Sequence, residues 1–180
     1  MNRQKRRQIS RQYFSRDRLA AHHFRSFNGF LNRGMQEVVD EKETIETDIG
    51  DKEGQEPVWV ELGNVRMTTP RVREADGSEE LLYPQEARLR NITYSAPVFM
   101  EMTVMRGGEE EEPHLVDQSE TKVGRMPIMT GSDSCNIVDF DDEELIEIGE
   151  DPADPGGYFI VNGSERVLMT SEDLAPNKIL

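Results

Sequence analysis

The chain has 180 residues, of which 36 are acidic and 21 are basic, so its formal net charge is −15 at pH 7. No apolar stretch approaches the roughly 18 residues that a membrane-spanning helix needs, and the N-terminus lacks the apolar region of a signal peptide. A single cysteine, Cys135, excludes an internal disulfide and indicates a reducing compartment. These features predict one soluble, cytoplasmic domain with a single core.

The basic residues are concentrated at the N-terminus. Residues 1–34 contain nine Lys and Arg and one acid, a net charge of +8; because the whole chain carries −15, the rest carries −23. Residues 1–15 therefore predict a basic arm, whose partner is either nucleic acid or an acidic protein neighbour. The acidic remainder is typical of halophilic adaptation, in which carboxylates keep a protein in solution at high salt.

The next segment, residues 16–40, has the pattern of helix. Its apolar residues recur at spacings of three and four, from Leu19 to Val39. Gly29 and Gly34 interrupt the pattern, which leaves either two helices or one kinked helix.

Residues 57–180 change to alternation and predict mainly strands, with short helices near 84–91 and 141–149. Pro84 suits a first helical turn, and Asp141 with Glu144 forms a capping box. The chain is thus expected to be an α+β domain, with N-terminal helices packed on mostly antiparallel strands.

Three details of the strand region are specific enough to check. Val58 and Val60 indicate one short strand, and Leu62, Val65 and Met67 indicate a second, with Gly63 and Asn64 as the break in the pattern. A longer strand covers 92–105, and Pro97 in its middle predicts a sheet edge or a bulge there.

The last quarter of the chain predicts a β-hairpin. The run from Tyr158 to Val161 is aromatic and β-branched, and Asn162 and Gly163 are the two residue types that favour a two-residue hairpin turn. The return strand is expected over 166–170.

The residues around this hairpin, Asp154-Pro155-Gly156-Gly157-Tyr158-Phe159-Ile160 through Leu168, resemble a known segment. They are similar to the D-P-G-G-Y-F-I-x-N-G-[ST]-E-[RK]-V-L block of the second-largest subunit of multisubunit DNA-directed RNA polymerases, in the archaeal and eukaryotic branch. Residues 88–102 resemble the family's R-L-R-N-x-T-Y-x-x-P-x-x-x-[ED] block, and 124–129 its G-[RK]-[IL]-P-[IV]-M block. All three occur in family order.

The resemblance covers the chain from about Leu19 to Leu180 and implies a place in a nucleotidyltransferase assembly. It implies that residues 1–180 are the N-terminal segment of the protrusion domain, a wall of the DNA cleft, from a halophilic archaeon in which the subunit is split. The lobe, the rest of the protrusion and the fork are then expected after Leu180. The implied partners are other polymerase subunits, the DNA template and the RNA–DNA hybrid, with no membrane.

The family's chemistry uses magnesium ions held by other segments, so the resemblance implies no catalytic residue, no metal and no cofactor in this chain. Its contribution is expected to be contact with the nucleic-acid backbone, for which Arg166 and Lys178 supply charge and Asn177 a hydrogen-bond donor. For Arg88 and Arg90 two roles stay open, pairing with the chain's carboxylates and contact with DNA.

One acidic stretch, residues 136–142, resembles the magnesium loop N-A-D-F-D-G-D of the largest subunit, but its spacing differs and its glycine is missing. Helix capping by Asp141 explains these residues better. Cys135 as the only thiol, and no His pair at ligand spacing, also make zinc a poor fit.

Two other functions compete with the polymerase interpretation. The −23 charge of the body alone fits a stand-alone acidic interaction module or DNA mimic. A regulator that binds nucleic acid through the basic arm would instead show binding that weakens as salt increases.

Overall fold

The computed structural model describes residues 3–13, 19–42, 44–47, 56–107 and 113–169. Its helices are α1 (Arg3–Tyr13), α2 (Ala21–Gly29), a π-helical turn (Phe30–Gly34), α3 (Met35–Asp40), α4 (Pro84–Leu89) and α5 (Asp142–Glu147). Its strands are β1 (Thr44–Glu46), β2 (Val58–Met67), β3 (Arg71–Arg73), β4 (Glu79–Leu81), β5 (Ser95–Arg106), β6 (His114–Pro127), β7 (Phe159–Val161) and β8 (Ser164–Arg166). The predicted α+β class is confirmed, since helices lie beside strands whose pairings are all antiparallel in the described ranges.

The helical region is continuous through both of its glycines. Gly29 and Gly34 keep right-handed helical dihedrals, and the turn between α2 and α3 widens to π-helical geometry. A Cβ on Gly34 would lie 2.9 Å from the Phe30 ring, so the absence of a side chain lets that ring pack against the helix. Of the two alternatives, two separate helices are excluded over residues 21–40, which form one helical run with a π-helical turn in its middle.

The main sheet has four strands in the order β1-β2-β5-β6. The stretches predicted as two short strands, 58–60 and 62–67, are one strand, β2, with an irregular register between Leu62 and Val65. The side chain of Gln36 on α3 accepts from Val65 N at 2.9 Å, which ties the N-terminal helices to this irregularity.

Of the two outcomes predicted at Pro97, a sheet edge and a bulge, the structure shows the second: β5 is a central strand, and its register with β6 shifts between Val98 and Phe99. Pro97 lies opposite Arg125 of β6, and its carbonyl accepts from Thr68 N at 3.2 Å on the other side. A central position tolerates proline here because β2 has ended by this point and a bulge follows at once, between Val98 and Phe99.

The C-terminal hairpin forms, with a different return strand. Asn162 and Gly163 have φ of 50° and 74°, as a type I′ turn requires. Strand β8 covers Ser164–Arg166 instead of the predicted 166–170, because a two-residue turn brings Ser164 directly opposite Val161.

The core lies where α2, α4 and the ends of β5 and β6 meet the hairpin. Its most buried large side chains are those of Tyr94, Leu82, Ile128, Met129 and Ile160. Tyr94 N donates to Ile160 O at 3.0 Å and Ile128 N to Tyr94 O at 2.9 Å, so the three chain segments share one hydrogen-bonded layer. No helix in the described part of the chain is both long enough and apolar enough to cross a membrane.

Candidate nucleic-acid interface

Arg166 is the one predicted contact residue that the structure describes, and it lies on β8 directly opposite Phe159. Phe159 is buried, with its ring edge-on to Phe27 of α2 at 5.2 Å between centroids. Arg166 is exposed, and within the described ranges it has no ion pair. The hairpin therefore holds a cation on a well-anchored backbone and leaves its charge open to solvent.

A groove of about 910 Å³ runs between α2 and the hairpin, and Arg166 lies on its wall. Apolar side chains line most of it: Phe27, Phe30, Met129, Phe159 and Leu168. His22 and His23 line the α2 side of the same groove, and their ring centroids are 4.0 Å apart. Asn177 and Lys178, the other two predicted contacts, lie outside the described residues.

The hairpin is fixed to the segment that precedes β5. Gly163 N donates to Ile92 O at 3.1 Å, and Asn162 N donates to the Thr93 hydroxyl at the same distance. The left-handed backbone at Asn162 and Gly163 turns both amides toward this segment. The turn residues thus do two things: they close the hairpin and dock it.

Arg88 on α4 is a structural hub instead of a nucleic-acid contact. Its Nη1 donates to Glu150 Oε2 at 3.0 Å and its Nε to Glu165 Oε1 at 2.9 Å. Its Nη2 donates to the Tyr158 hydroxyl, which in turn donates to Asp154. All of its donor nitrogens have acceptors, so of its two open roles the structure supports carboxylate pairing.

The electrostatics of this network follow from its burial. Burial alone lowers the pKa of Arg88, but the hydrogen bonds and charges of Glu150 and Tyr158 outweigh it and leave the pKa above its ordinary value. The pKa of Tyr158 is also raised, first by burial and then by its hydrogen bond to Asp154. Arg88 therefore stays charged and Tyr158 stays a donor throughout the neutral range.

Arg90 and Arg125 are also engaged within the chain. Arg90 pairs with Glu74 at 2.6 Å and with Glu86 at 2.7 Å. Arg125 donates from Nη2 to the carbonyls of Arg71 at 2.8 Å and Ser95 at 2.7 Å. The arginines of two of the three blocks that carry the resemblance, 88–102 and 124–129, therefore hold the domain together.

The loop before the hairpin depends on two glycines. Gly156 and Gly157 have φ of +66° and +85°; a Cβ on them would lie 2.5 Å from Thr130 O and from Ala20 Cβ, respectively. Only glycine combines this backbone with so close an approach. The pair therefore lets the loop pass between the start of α2 and Thr130, which lies three residues after the end of β6.

The predicted cap at Asp141 is confirmed. Its carboxylate accepts from the backbone N of Glu143 and Glu144, both at 2.9 Å. In the other direction, the side-chain carboxylate of Glu144 accepts from Asp141 N at 2.9 Å. Among the described ranges, no group of three His, Cys, Asp or Glu side chains is placed to hold a metal ion. Cys135 is buried, with Sγ 3.4 Å from the Tyr94 hydroxyl.

Sequence reasoning missed the acceptors of the Arg88 network. Glu150 lies 62 residues from Arg88 in the chain, and nothing in its local sequence distinguishes it from the other carboxylates. One signal was available: Glu150 follows Gly149, whose φ of +83° ends α5 and turns the chain back toward α4.

Fold and site together define an α+β domain that presents a cationic hairpin beside an apolar groove. The chain belongs to the RNA polymerase beta subunit family, whose sequence profile matches residues 18–177.

The curated relatives include a DNA-directed RNA polymerase subunit Rpo2N from Halobacterium salinarum, 80% identical over 174 residues, which are 97% of this chain and 33% of that protein. The Rpo2N of Methanothermobacter thermautotrophicus is 45% identical over 93% of this chain and 30% of its own length. The Rpo2 of Saccharolobus solfataricus is 46% identical over 93% of this chain and 14% of its own length. The chain thus spans about a third or less of these relatives. Its similarity to a Halobacterium protein agrees with the halophilic composition, and the comparisons favour the polymerase over an acidic module.

Proposed function

We propose that this chain is a non-catalytic part of a cytoplasmic DNA-directed RNA polymerase and forms a wall of its DNA cleft, within the protrusion domain. The observation that supports this most is the 80% identity to a polymerase subunit over 97% of the chain. In this proposal the partners are other polymerase subunits, the DNA template and the RNA–DNA hybrid. In this proposal the magnesium ions of the assembly are bound by other segments, and Asp141 serves as a helix cap.

Arg166 is the residue proposed to contact phosphate. Arg88, Arg90 and Arg125 are occupied by partners within the chain, whereas Arg166 is exposed on a hairpin with no ion pair in the described part. Guanidinium is suited to phosphate oxygens, and contacts of this kind position a protein without reading sequence. Lys178 and Asn177, twelve and eleven residues further along, extend the proposed contact.

Helix α1 is a second proposed contact. Arg3, Lys5, Arg6 and Arg7 are all exposed, and no acid lies within the helix. Like charges at i and i+4, as at Arg3 and Arg7, destabilise an isolated helix, so a polyanion that neutralises them stabilises it. Guanidinium groups bind phosphate and carboxylate oxygens alike, so the predominance of Arg over Lys in this helix suits both partners that the sequence left open, and phosphate is the one proposed here.

The test is the salt dependence of DNA binding by the assembled polymerase. Each phosphate contact contributes about 0.9 to the slope of log K against log salt for duplex DNA, so Arg166→Ala is expected to lower the slope by about that amount. Arg73→Ala, on the separate β3/β4 hairpin, is the matched control and is expected to leave the slope unchanged. An unaltered slope with Arg166→Ala would refute the proposed contact.

A further inference from the structure

The turn of the C-terminal hairpin has a chemical reactivity that its role in folding does not use. In an Asn-Gly pair the glycine amide nitrogen can attack the side-chain carbon Cγ of the asparagine, because glycine has no side chain to obstruct the approach. The chain contains two such pairs, Asn28–Gly29 and Asn162–Gly163. The first lies in helix α2, and the second is the exposed turn between β7 and β8.

The reaction at this turn releases ammonia and consumes water. Gly163 N gives up its proton and bonds to Asn162 Cγ; the bond from Cγ to Nδ2 breaks, and Nδ2 leaves as ammonia, which carries that proton away. The product is a cyclic succinimide, which a water molecule from the solvent opens at one of its two carbonyl carbons. Opening at Cγ leaves aspartate at position 162, and opening at the backbone carbonyl leaves isoaspartate, in which the main chain runs through the side-chain carbons.

Docking of the hairpin holds both of the reacting groups. Gly163 N donates to Ile92 O at 3.1 Å, so the nucleophile keeps its proton and directs it at a carbonyl. Thr93 holds the other group, because its hydroxyl donates to Asn162 Oδ1 at 3.3 Å and accepts from Asn162 N at 3.1 Å. The asparagine side chain and the glycine amide are therefore both engaged with the segment that precedes β5.

The docked turn also lacks the space that ring closure needs. A Cβ on Gly163 would lie 2.8 Å from Asn91 Cα and 3.2 Å from Arg88 O, so the glycine packs closely against the chain that follows α4. Bringing Gly163 N onto Asn162 Cγ requires a rotation between the two residues, which breaks the bond to Ile92 O and moves Gly163 within this contact. The reaction therefore needs the tip of the hairpin to leave its docked position.

The two Asn-Gly pairs differ in how much structure must open before they react. Asn162 is exposed, and β8 beyond it is three residues long and exposed throughout. Asn28 follows the buried Phe27 within the helical run 21–40, and its Oδ1 accepts from Asp133 N at 3.3 Å. Local opening of a hairpin tip costs less free energy than unfolding a helix that packs on the core. Asn162 is therefore expected to react before Asn28 in the native chain.

We infer that Asn162 is a site of spontaneous deamidation, which the docked hairpin protects and each local opening of its tip exposes. Either product adds a negative charge to the turn, and isoaspartate also lengthens the main chain within it, so that β7 and β8 lose the register of a two-residue turn. Arg166 then loses the position that β8 gives it. The modification is a property of the chain itself and does not depend on the proposed function.

The test follows deamidation of Asn28 and Asn162 in the full 180-residue chain by mass spectrometry of its peptides, during incubation at mildly alkaline pH and high KCl. The same chain unfolded in urea is the reference, in which both sites are expected to react readily. In the native chain Asn162 is expected to react at least about tenfold more slowly than in urea, and faster than Asn28. A native rate at Asn162 equal to the rate in urea would overturn the protection, and a native rate no faster than that of Asn28 would overturn the local opening.

Thr93→Ala removes the hydroxyl that holds Asn162 and is expected to raise the native rate at that residue about fivefold, the effect of one lost hydrogen bond. Thr93→Ser keeps the hydroxyl and is the matched control, with an expected rate within about twofold of wild type. Asn28 reports on general destabilisation in the same molecule, because a variant that unfolds the whole chain accelerates both sites. An increase confined to Asn162 supports the inference, and an unchanged ratio of the two rates in Thr93→Ala contradicts it.

Discussion

Nη1 of Arg88 donates to Oε2 of Glu150 at 3.0 Å, with 19% and 4% of the two side chains exposed. Glu150 uses its other oxygen to accept from Gln85 N, at the start of α4. One carboxylate thus satisfies an unpaired amide at the helix N-terminus and neutralises an arginine in the same helix. Because Arg88 also reaches Glu165 on β8, the hairpin with Arg166 is positioned by this pair.

Arg88→Ala is expected to lower the free energy of unfolding by about 3 kcal/mol, because it leaves the Glu150 carboxylate buried without its cation. Arg90→Ala, which removes an exposed arginine with two carboxylate partners, is expected to cost much less. Denaturant titration of both variants at high KCl provides the comparison. If both variants lost the same free energy of unfolding, burial of the Arg88 network would add nothing to stability.

Gly157→Ala is expected to destabilise the chain by about 2 to 4 kcal/mol, since alanine is strained at φ +85° and its Cβ meets Ala20. Gly29→Ala is the matched control, because Gly29 lies in helical backbone with nothing within 4 Å of the added Cβ. It is expected to stabilise by about 0.5 to 1 kcal/mol. Thermal unfolding separates the two, and a stabilising Gly157→Ala would contradict the described loop.

Asp141→Ala is expected to cost about 1 kcal/mol through loss of the cap, whereas Asp141→Asn keeps an acceptor oxygen and costs little. Circular dichroism during urea unfolding measures both, with and without MgCl₂. A stability difference between wild type and Asp141→Asn that appears only when magnesium is added would show that these carboxylates bind the ion and are more than a cap.

Stability is expected to fall as the pH rises above about 9. Burial raises the pKa of the Cys135 thiol above its ordinary 9.0, so the folded chain keeps a proton that the unfolded chain loses. Each proton that only the folded state keeps lowers the free energy of unfolding by up to about 1.4 kcal/mol per pH unit. Tyr94, whose pKa burial also raises, adds to the decline above its ordinary 10.0.

Cys135→Ala removes the first of these groups, and its stability is expected to decline less steeply than wild type between about pH 9 and 10. Any packing lost with the sulfur shifts the whole curve without changing this slope. Unfolding by urea at a series of pH values gives both curves. Parallel curves would show that the thiol titrates alike in the folded and unfolded chains.

Local sequence signals predicted the local features well. The Asn162-Gly163 turn, the Asp141 cap and the α+β class each depend on chemistry confined to a few neighbouring residues. At Pro97 the sequence predicted an edge or a bulge, and the choice between the two depends on where β2 ends, which no residue near Pro97 encodes. The return strand was misplaced by two residues because the tight turn was recognised but its register was not applied.

The long-range contacts of the site were out of reach of sequence patterns. Arg88 was named as one of two arginines with an open role, and only the fold shows that its acceptors come from 62 to 77 residues away. Arg166, which the sequence analysis named as a contact to the nucleic-acid backbone, lies exposed on the hairpin, and that contact stays a prediction.

The central claim is that this chain works as part of a DNA-directed RNA polymerase. An affinity-tagged copy, expressed in a haloarchaeal host and purified at high KCl, tests it most directly by the subunit content and nucleotide-incorporation activity of what co-purifies. We predict a stoichiometric assembly that makes RNA from a DNA template. A tagged chain that purifies alone, while active polymerase elutes without it, would contradict the claim.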